Sequence, residues 1–119
     1  MQKYDDIFKK LAKSAFRSSF KLKENDKLYI KEKGLDKIRE HTKEFIQKRI
    51  APKYIKNDGK QTPTKGHPAF IAQHATGSCC RKCIEKWHKF KSGVELTQKE
   101  QEYLANLIMR WIELQIKEN

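Results

Sequence analysis

Six side chains of the kinds that bind soft or borderline metal ions fall within 22 residues in the middle of the chain. These three histidines and three cysteines are His67, His74, Cys79, Cys80, Cys83 and His88. Zinc is bound by about four nitrogen and sulfur ligands arranged as a tetrahedron, and a Cys-x2-Cys pair with two histidines supplies such a set. The residues therefore predict a metal site, with Zn²⁺ as the expected ion and an iron–sulfur cluster as a less favoured alternative.

Helical spacing is what would bring the cysteines together. Gly77 and Ser78 allow the chain to turn, and Ser78 is predicted to cap the helix that follows. In that helix Cys79 and Cys80 lie four and three residues before Cys83, so all three thiols would share one face. The basic side chains around them would lower thiol pKa values and so favour metal binding.

The histidines are expected to reach this face less directly. If Pro68 begins a helix, His67 and His74 lie two turns apart on roughly the same side of it. On one continuous helix His88 would point about 140° away from Cys83, so it would bind the same ion only if the helix began late or bent. The sequence leaves open which four of the six groups bind.

Two simpler roles for the same segment are also compatible with the sequence. Cys79, Cys83, Trp87 and Phe90 would lie on one helical face, and free cysteines are among the most buried residues, so the thiols could simply belong to the core. In that case the protein would be an adaptor that binds a partner and holds no ion. His67 could cap a helix or bond to a loop.

A small enzyme is the alternative function. Cys80 could act as a nucleophile, with His74 or His88 as its base. A metal-bound water near Glu85 could instead carry out hydrolysis, with residues 56–65 as a lid over the site. Two-carboxylate hydrolysis is disfavoured, because residues 52–93 contain only two acids.

The chain carries a formal net charge of +12 that is unevenly distributed. Residues 1–51 and 52–93 each carry a net +7, whereas residues 94–119 carry −2. Such a field attracts DNA, RNA or another polyanion, although a lysine-rich solvated surface would have the same composition. The candidate polyanion-binding residues are Lys53, Lys56, Lys60, Lys65, Arg81, Lys82, Lys86 and Lys89.

Cysteine usage and hydropathy indicate the compartment. Three cysteines cannot pair completely, and two of them are neighbours, so a reducing environment is favoured over a disulfide scaffold. The first ten residues resemble no signal peptide, and no stretch approaches the roughly 18 apolar residues of a membrane span. We therefore expect a cytoplasmic protein without membrane contact. The sequence does not indicate its oligomeric state.

Apolar spacing predicts the helices that position these groups. Residues 4–11 form a first helix, and Phe16 and Phe20 mark a second turn or a hook. A helix from residue 24 to 33 ends at Gly34 in a left-handed conformation, and a longer helix then runs to Pro52. Helix–turn–helix pairs of this kind read DNA in some proteins, but more often they are plain packing units.

The last helix has the clearest signals. Thr97 and Glu100 form a capping box at its start. An apolar stripe follows at helical spacing and is predicted to be core. The stripe consists of Tyr103, Leu104, Leu107, Ile108, Trp111, Ile112 and Ile116.

Several blocks of the sequence, in order, resemble one known family. They are Lys10-Leu11-Ala12-Lys13-Ser14, Phe16-Arg17-Ser18-Ser19-Phe20, Asn57-Asp58-Gly59-Lys60-Gln61-Thr62-Pro63, Gly66-His67-Pro68, Ala72-Gln73-His74-Ala75-Thr76, Cys79-Cys80-Arg81, Cys83 and Lys86-Trp87-His88. The chain is similar over nearly its whole length to short prokaryotic proteins known as domain of unknown function 4186. The resemblance implies one complete cytoplasmic domain and assigns no activity or catalytic residue.

Together these observations predict that residues 1–119 form a single all-α domain. We expect a bundle of four or five helices with one long ordered loop before the Cys/His segment. The favoured function is a basic, zinc-binding module that engages nucleic acid or another polyanion.

Overall fold

The helices predicted from apolar spacing are present in the computed structural model, which describes residues 4–117. Within those residues the fold is all-α, with seven α-helices, one π-helical turn and no strand. The α-helices are α1 (Asp5–Ala12), α2 (Ala15–Ser18), α3 (Glu24–Lys33), α4 (Leu35–Phe45), α5 (Pro68–Ala75), α6 (Arg81–His88) and α7 (Gln98–Lys117). The π-helical turn (Ile46–Ile50) follows α4 directly.

The all-α prediction is confirmed, and the helices are more numerous than the four or five expected. One reason is α2, a four-residue turn in which the Ser14 hydroxyl caps the Arg17 backbone N–H at 3.1 Å. The ring of Phe16, within this turn, contacts the ring of Phe20, just after it, edge to face. The other reason is the Cys/His segment itself, which contributes the two short helices α5 and α6.

The pair α3 and α4 forms the predicted helical hairpin. Gly34 separates them with a φ of 88°, a positive value that glycine adopts more readily than other residues. Its ψ of 148°, however, lies outside the left-handed helical region that was predicted. The longer helix ends as expected before Pro52, and its last turn is π-helical. There the Ala51 N–H bonds to the Ile46 carbonyl five residues back.

Helix α7 lies against the core on its predicted stripe. Leu104, Leu107, Ile108 and Ile112 have no exposed surface, and the helix packs on α4, α5 and the π-helical turn. The Thr97–Glu100 capping box is present, with both reciprocal hydrogen bonds near 3 Å. The remaining members of the stripe, Tyr103, Trp111 and Ile116, are partly buried against the same cluster.

Between the π-helical turn and α5, residues 51–67 form the long loop. Its placement is fixed by hydrogen bonds to the cysteine segment, which are described below. Among residues 4–117, no helix combines the length and apolarity that crossing a membrane would require.

Candidate metal centre

The cysteine segment enters helix α6 through a cap that differs from the predicted one. Ser78 was expected to cap this helix, but it is fully buried and receives a hydrogen bond from the Thr76 hydroxyl at 3.0 Å. Cys80 caps the helix instead: its backbone is extended, and its sulfur accepts the Cys83 backbone N–H at 3.4 Å. Cys79 therefore lies before the helix, and the late helix start turns its side chain toward the other two.

The three thiols converge on one point. The Cys80 and Cys83 sulfurs are 3.1 Å apart, and those of Cys79 and Cys83 are 3.6 Å apart. All three sulfurs lie within 4.8 Å of one another. Cys79 and Cys80 are buried and Cys83 is partly exposed, so the group has one face toward solvent. The three cysteines could therefore hold a metal ion.

Arg17 is a member of this site that sequence reasoning missed. Its guanidinium, on α2, donates to the Cys83 sulfur at 3.1 Å and to the Cys79 sulfur at 3.5 Å. A further bond to the His74 carbonyl at 2.8 Å fixes its orientation. The side chain is 8% exposed, so this cation is held beside the sulfurs and away from bulk water. The block around Phe16 and Phe20 was the only sequence signal for it.

These contacts make Cys83 the most acidic of the three thiols. Hydrogen bonds from the Cys79 and Cys80 thiols, and then from the Arg17 guanidinium, lower the pKa of the Cys83 thiol far below its ordinary value. Hydrogen bonds with Cys80 and Cys83, together with burial, raise the pKa of the Cys79 thiol. These contacts therefore favour the thiolate form at Cys83, whose sulfur receives hydrogen bonds from its neighbours.

The pKa of the Cys80 thiol is also raised. Its hydrogen bond with Cys79 lowers this pKa, but the hydrogen bond with Cys83 and burial outweigh that effect. A metal ion that took both remaining thiols as thiolates would have to displace their protons.

The long loop supports the cysteine segment from outside. The Asp58 carboxylate accepts hydrogen bonds from the backbone N–H groups of Arg81 and Lys82, at 2.8 and 3.3 Å. Both groups are in the first turn of α6, where N–H groups find no acceptor within the helix itself. Thr62 is buried and donates to the Cys79 carbonyl at 2.8 Å. These bonds connect residues 56–65, the segment considered as a lid, to the backbone of the cysteine segment.

A close contact between Gly77 and Trp87 sets the turn before the cysteines. Gly77 has a φ of 68°, and a β-carbon there would lie 2.7 Å from Cδ1 of the indole. Only glycine fits this position without displacement. Buried Gln73 donates to the Ser78 carbonyl at 3.1 Å and holds the other side of the turn.

Two of the predicted histidine ligands serve other contacts. His67 caps α5 by accepting the Ala69 N–H at 2.9 Å, so its other ring nitrogen carries the proton and donates to His41 at 3.0 Å. Burial, and then the electrostatic effect of the adjacent His41 ring, lower the pKa of His67 to about 4. The His74 ring stacks on Phe20, and its Nε2 bonds to loop carbonyls at 3.0 and 3.2 Å.

The third histidine also lies outside the group. His88 is buried, and its Nε2 bonds to the Thr76 carbonyl at 2.8 Å. Within residues 4–117, the three cysteines are joined by no histidine or carboxylate as a fourth potential ligand. The structure thus brings together three of the six predicted ligands. Each histidine instead uses at least one ring nitrogen in a hydrogen bond to the backbone or to another ring.

The residues named for the enzyme alternative make other contacts in the structure. Neither His74 nor His88 bonds to a sulfur through its ring, and Cys80, the candidate nucleophile, is 4% exposed. Glu85, considered as a group near a metal-bound water, accepts both the backbone N–H and the hydroxyl of Ser92. These bonds direct its carboxylate toward the loop after α6.

The structure separates the candidate polyanion-binding residues into two groups. The seven lysines are exposed. Arg81 does not belong with them: it is 3% exposed, and its guanidinium donates to the carbonyls of Ile50, Pro52, Lys91 and Val94. These hydrogen bonds connect the end of the π-helical turn to the segment after α6.

Comparison with known proteins adds a family and no activity. A family model described as "Domain of unknown function (DUF4186)" matches residues 5–113, which include every member of the thiol group and Arg17. No solved structure matches the chain.

Proposed function

The chain belongs to the DUF4186 family, and we propose that it binds a zinc ion through Cys79, Cys80 and Cys83. The observation that carries this proposal is the convergence of three sulfurs within 4.8 Å beside a buried guanidinium. Thiolates are the ligands that zinc favours in proteins, and a Cys-x2-Cys pair with a third cysteine provides three of them.

The sulfur separations favour one ion bound by all three. A Zn–S bond of about 2.3 Å in a tetrahedron places two sulfurs roughly 3.8 Å apart. The Cys80–Cys83 and Cys79–Cys83 sulfur separations, 3.1 and 3.6 Å, are shorter than this by about 0.7 and 0.2 Å, so the side chains would need to open by less than an ångström. An iron–sulfur cluster is less favoured, because its cysteines ligate different irons and would have to be farther apart.

Three protein ligands leave one position of a zinc tetrahedron for a water or another small ligand, as in catalytic zinc sites. Cys83 is partly exposed, which places the group's solvent-facing side at that residue. Three thiolates and Zn²⁺ sum to a single negative charge, and the Arg17 guanidinium is close enough to offset it. Arg17 would thus stabilise the metal-bound state without contacting the ion.

Elemental analysis of the chain purified without a histidine tag tests the proposal. One zinc ion per chain is expected, and Cys83→Ser should abolish it. Far-ultraviolet circular dichroism of the variant then separates two roles. Loss of helicity along with zinc would indicate a structural ion, and loss of zinc alone would indicate a functional one.

His88→Gln is the matched control for this experiment. The amide can still donate to the Thr76 carbonyl, and because His88 lies outside the thiol group the zinc content should stay at the wild-type level. A wild-type protein that binds no zinc when refolded with the ion would overturn the proposal. Loss of zinc from His88→Gln with helicity intact would indicate that His88 is a ligand, as in the mixed cysteine and histidine site predicted from the sequence.

A second function, binding of DNA or RNA, is supported by the exposed cations of α6 and of the residues directly after it. Lys82, Lys86 and Lys89 line one open depression together with Lys91. Tyr54, in the loop that carries four more of the candidate lysines, is 79% exposed. An exposed aromatic ring among cations is a combination that stacks unpaired bases.

Electrophoretic shifts with single-stranded RNA and duplex DNA at two salt concentrations test this function. Replacing Lys82, Lys86 and Lys89 by Gln should weaken binding and reduce its salt dependence. Replacing Lys9, Lys10 and Lys13, in α1 and at its C-terminal end, by Gln removes the same charge elsewhere and should change binding less. Equal losses in both variants would argue for a diffuse electrostatic effect, and no shift at low salt would overturn nucleic-acid binding.

A further inference from the structure

The sulfurs of Cys80 and Cys83 have the arrangement of a dithiol that can close. These two sulfur atoms lie 3.1 Å apart across the first turn of α6. We infer that these two cysteines form a reversible disulfide by exchange with a low-molecular-weight disulfide, and that closing the bond releases the metal ion. The release rests on the proposed function; the exchange itself rests on the geometry of the thiols.

Exposure indicates that Cys83 reacts first. It is the partly exposed member of the group, whereas Cys79 and Cys80 are 6% and 4% exposed. The Arg17 guanidinium donates to the Cys83 sulfur at 3.1 Å, a contact that orients this sulfur within the group. An incoming disulfide would therefore meet Cys83 before either neighbour.

The sulfur-to-sulfur distances indicate that Cys80, and not Cys79, forms the disulfide with Cys83. A disulfide has a sulfur–sulfur bond of about 2.05 Å, so the Cys80 sulfur must move by roughly 1 Å, within the range of side-chain rotation. The Cys79 sulfur is farther, at 3.6 Å, and it is also held by Arg17. Cys80 caps the helix, so the bond would form within a single turn of the chain.

The exchange balances with glutathione disulfide as the oxidant. The Cys83 thiolate attacks one sulfur of the oxidant, forming a mixed disulfide and expelling one glutathione thiolate. That thiolate takes the proton of the Cys80 thiol. The Cys80 sulfur then attacks the Cys83 sulfur, forming the intramolecular disulfide and expelling the second glutathione as thiolate. The protein loses two electrons and the oxidant gains two.

The closed bond would remove two of the three zinc ligands. Cys79 would then be the only thiolate left in the group, and one sulfur does not hold zinc in a protein site. Reduction by excess thiol would restore the pair. The site would thus bind zinc under reducing conditions and release it when the surrounding pool of thiols becomes oxidised.

The first measurement uses the wild-type chain with and without zinc. After incubation with glutathione disulfide, peptide mapping without reduction should locate the new bond between Cys80 and Cys83. Zinc release, followed with a chromogenic chelator, should match disulfide formation in amount. A bond that involves Cys79, or a stable adduct without an intramolecular bond, would overturn the inference.

Two variants test the order of the steps. Cys83→Ser should react with glutathione disulfide at least about tenfold more slowly than the wild type, because the remaining thiols are buried. Cys79→Ser/Cys80→Ser, which removes both resolving candidates, should accumulate glutathione on Cys83. Adducts at Cys79 or Cys80 in folded wild-type protein would contradict the order. Circular dichroism establishes that each variant is folded.

The failure of one proposal can be told from the failure of the other. If the chain binds no zinc, the metal-free wild type still reports whether Cys80 and Cys83 pair. If it binds zinc and the treated protein shows no such bond, only the redox inference fails. Formation of the bond without zinc release would retain the exchange and remove its effect on the metal.

Discussion

At the scale of single residues, Arg17 links parts of the molecule that are far apart in sequence. One guanidinium contacts two sulfurs and a backbone carbonyl, in a position where burial would otherwise disfavour a cation. Its planar group has donors spaced to reach both sulfurs at once, which a lysine ammonium does not offer. We therefore expect the thiol group to depend on arginine specifically.

Replacing Arg17 by Lys should lower zinc affinity by about 10- to 100-fold, the range typical for groups that support metal ligands without binding the ion. Competition with a chelator of known affinity measures the change. Arg39→Lys is the control, because Arg39 bonds to Asn106 and lies away from the sulfurs. Equal affinities of the Arg17 variant and the wild type would show that the guanidinium serves folding only.

The lowered pKa of the Cys83 thiol makes stability depend on pH. An unfolded cysteine has a pKa of about 8.5, and the folded value lies far below it, so the unfolded state binds one more proton between the two. The free energy of unfolding gained from this thiol is full above the unfolded pKa and is lost as pH falls toward the folded pKa.

In the reduced, metal-free protein the free energy of unfolding should therefore rise more steeply with pH in the wild type than in Cys83→Ser. Urea denaturation between about pH 5 and pH 8 measures this slope, below the range in which the raised pKa values of Cys79 and Cys80 act in the opposite direction. Parallel slopes would mean that the Cys83 thiolate is not stabilised by folding.

At the scale of elements, the short helix α6 is held by groups outside it. Its first turn is capped by the Cys80 sulfur from within and by the Asp58 carboxylate from the loop. An eight-residue helix is marginal by itself in water, so its stability depends on such contacts. Loop and helix therefore form one unit that presents the thiols.

Asp58→Ala should destabilise the protein by about 1 kcal/mol, the usual effect of losing a helix cap, and should also weaken zinc binding. Urea denaturation and chelator competition measure the two effects. Glu95→Ala, which removes an exposed acid in the segment before α7, is the control and should change both quantities little. If both variants behave alike, the loop does not support the site.

The turn at Gly77 should tolerate no side chain. Gly77→Ala adds a strained backbone and an overpacked contact with Trp87, for an expected loss of about 2–4 kcal/mol in the free energy of unfolding. Gly59→Ala has the same kind of backbone, with a φ of 104°, but meets no atom within 4 Å, so about 1 kcal/mol is expected. Equal losses would show that the indole moves aside.

At the scale of the whole molecule, local signals predicted the fold better than the site. Helix positions follow from apolar spacing within short windows, and the capping box of Thr97 and Glu100 is local too, so both were predictable. The contact from Arg17 to Cys83 spans 66 residues and the one from Asp58 to Arg81 spans 23, and no spacing rule reports them. Charge composition likewise could not show that Arg81 is buried among carbonyls.

The contact of Trp87 with Gly77 gives the protein a fluorescent reporter of its own site. Trp87 lies one helical turn after Cys83, so changes at the sulfurs should alter the surroundings of its indole. The chain has one other tryptophan, Trp111, and Trp111→Phe would leave a single emitter. Zinc loading and thiol oxidation could then be followed in real time by emission intensity, without any attached dye.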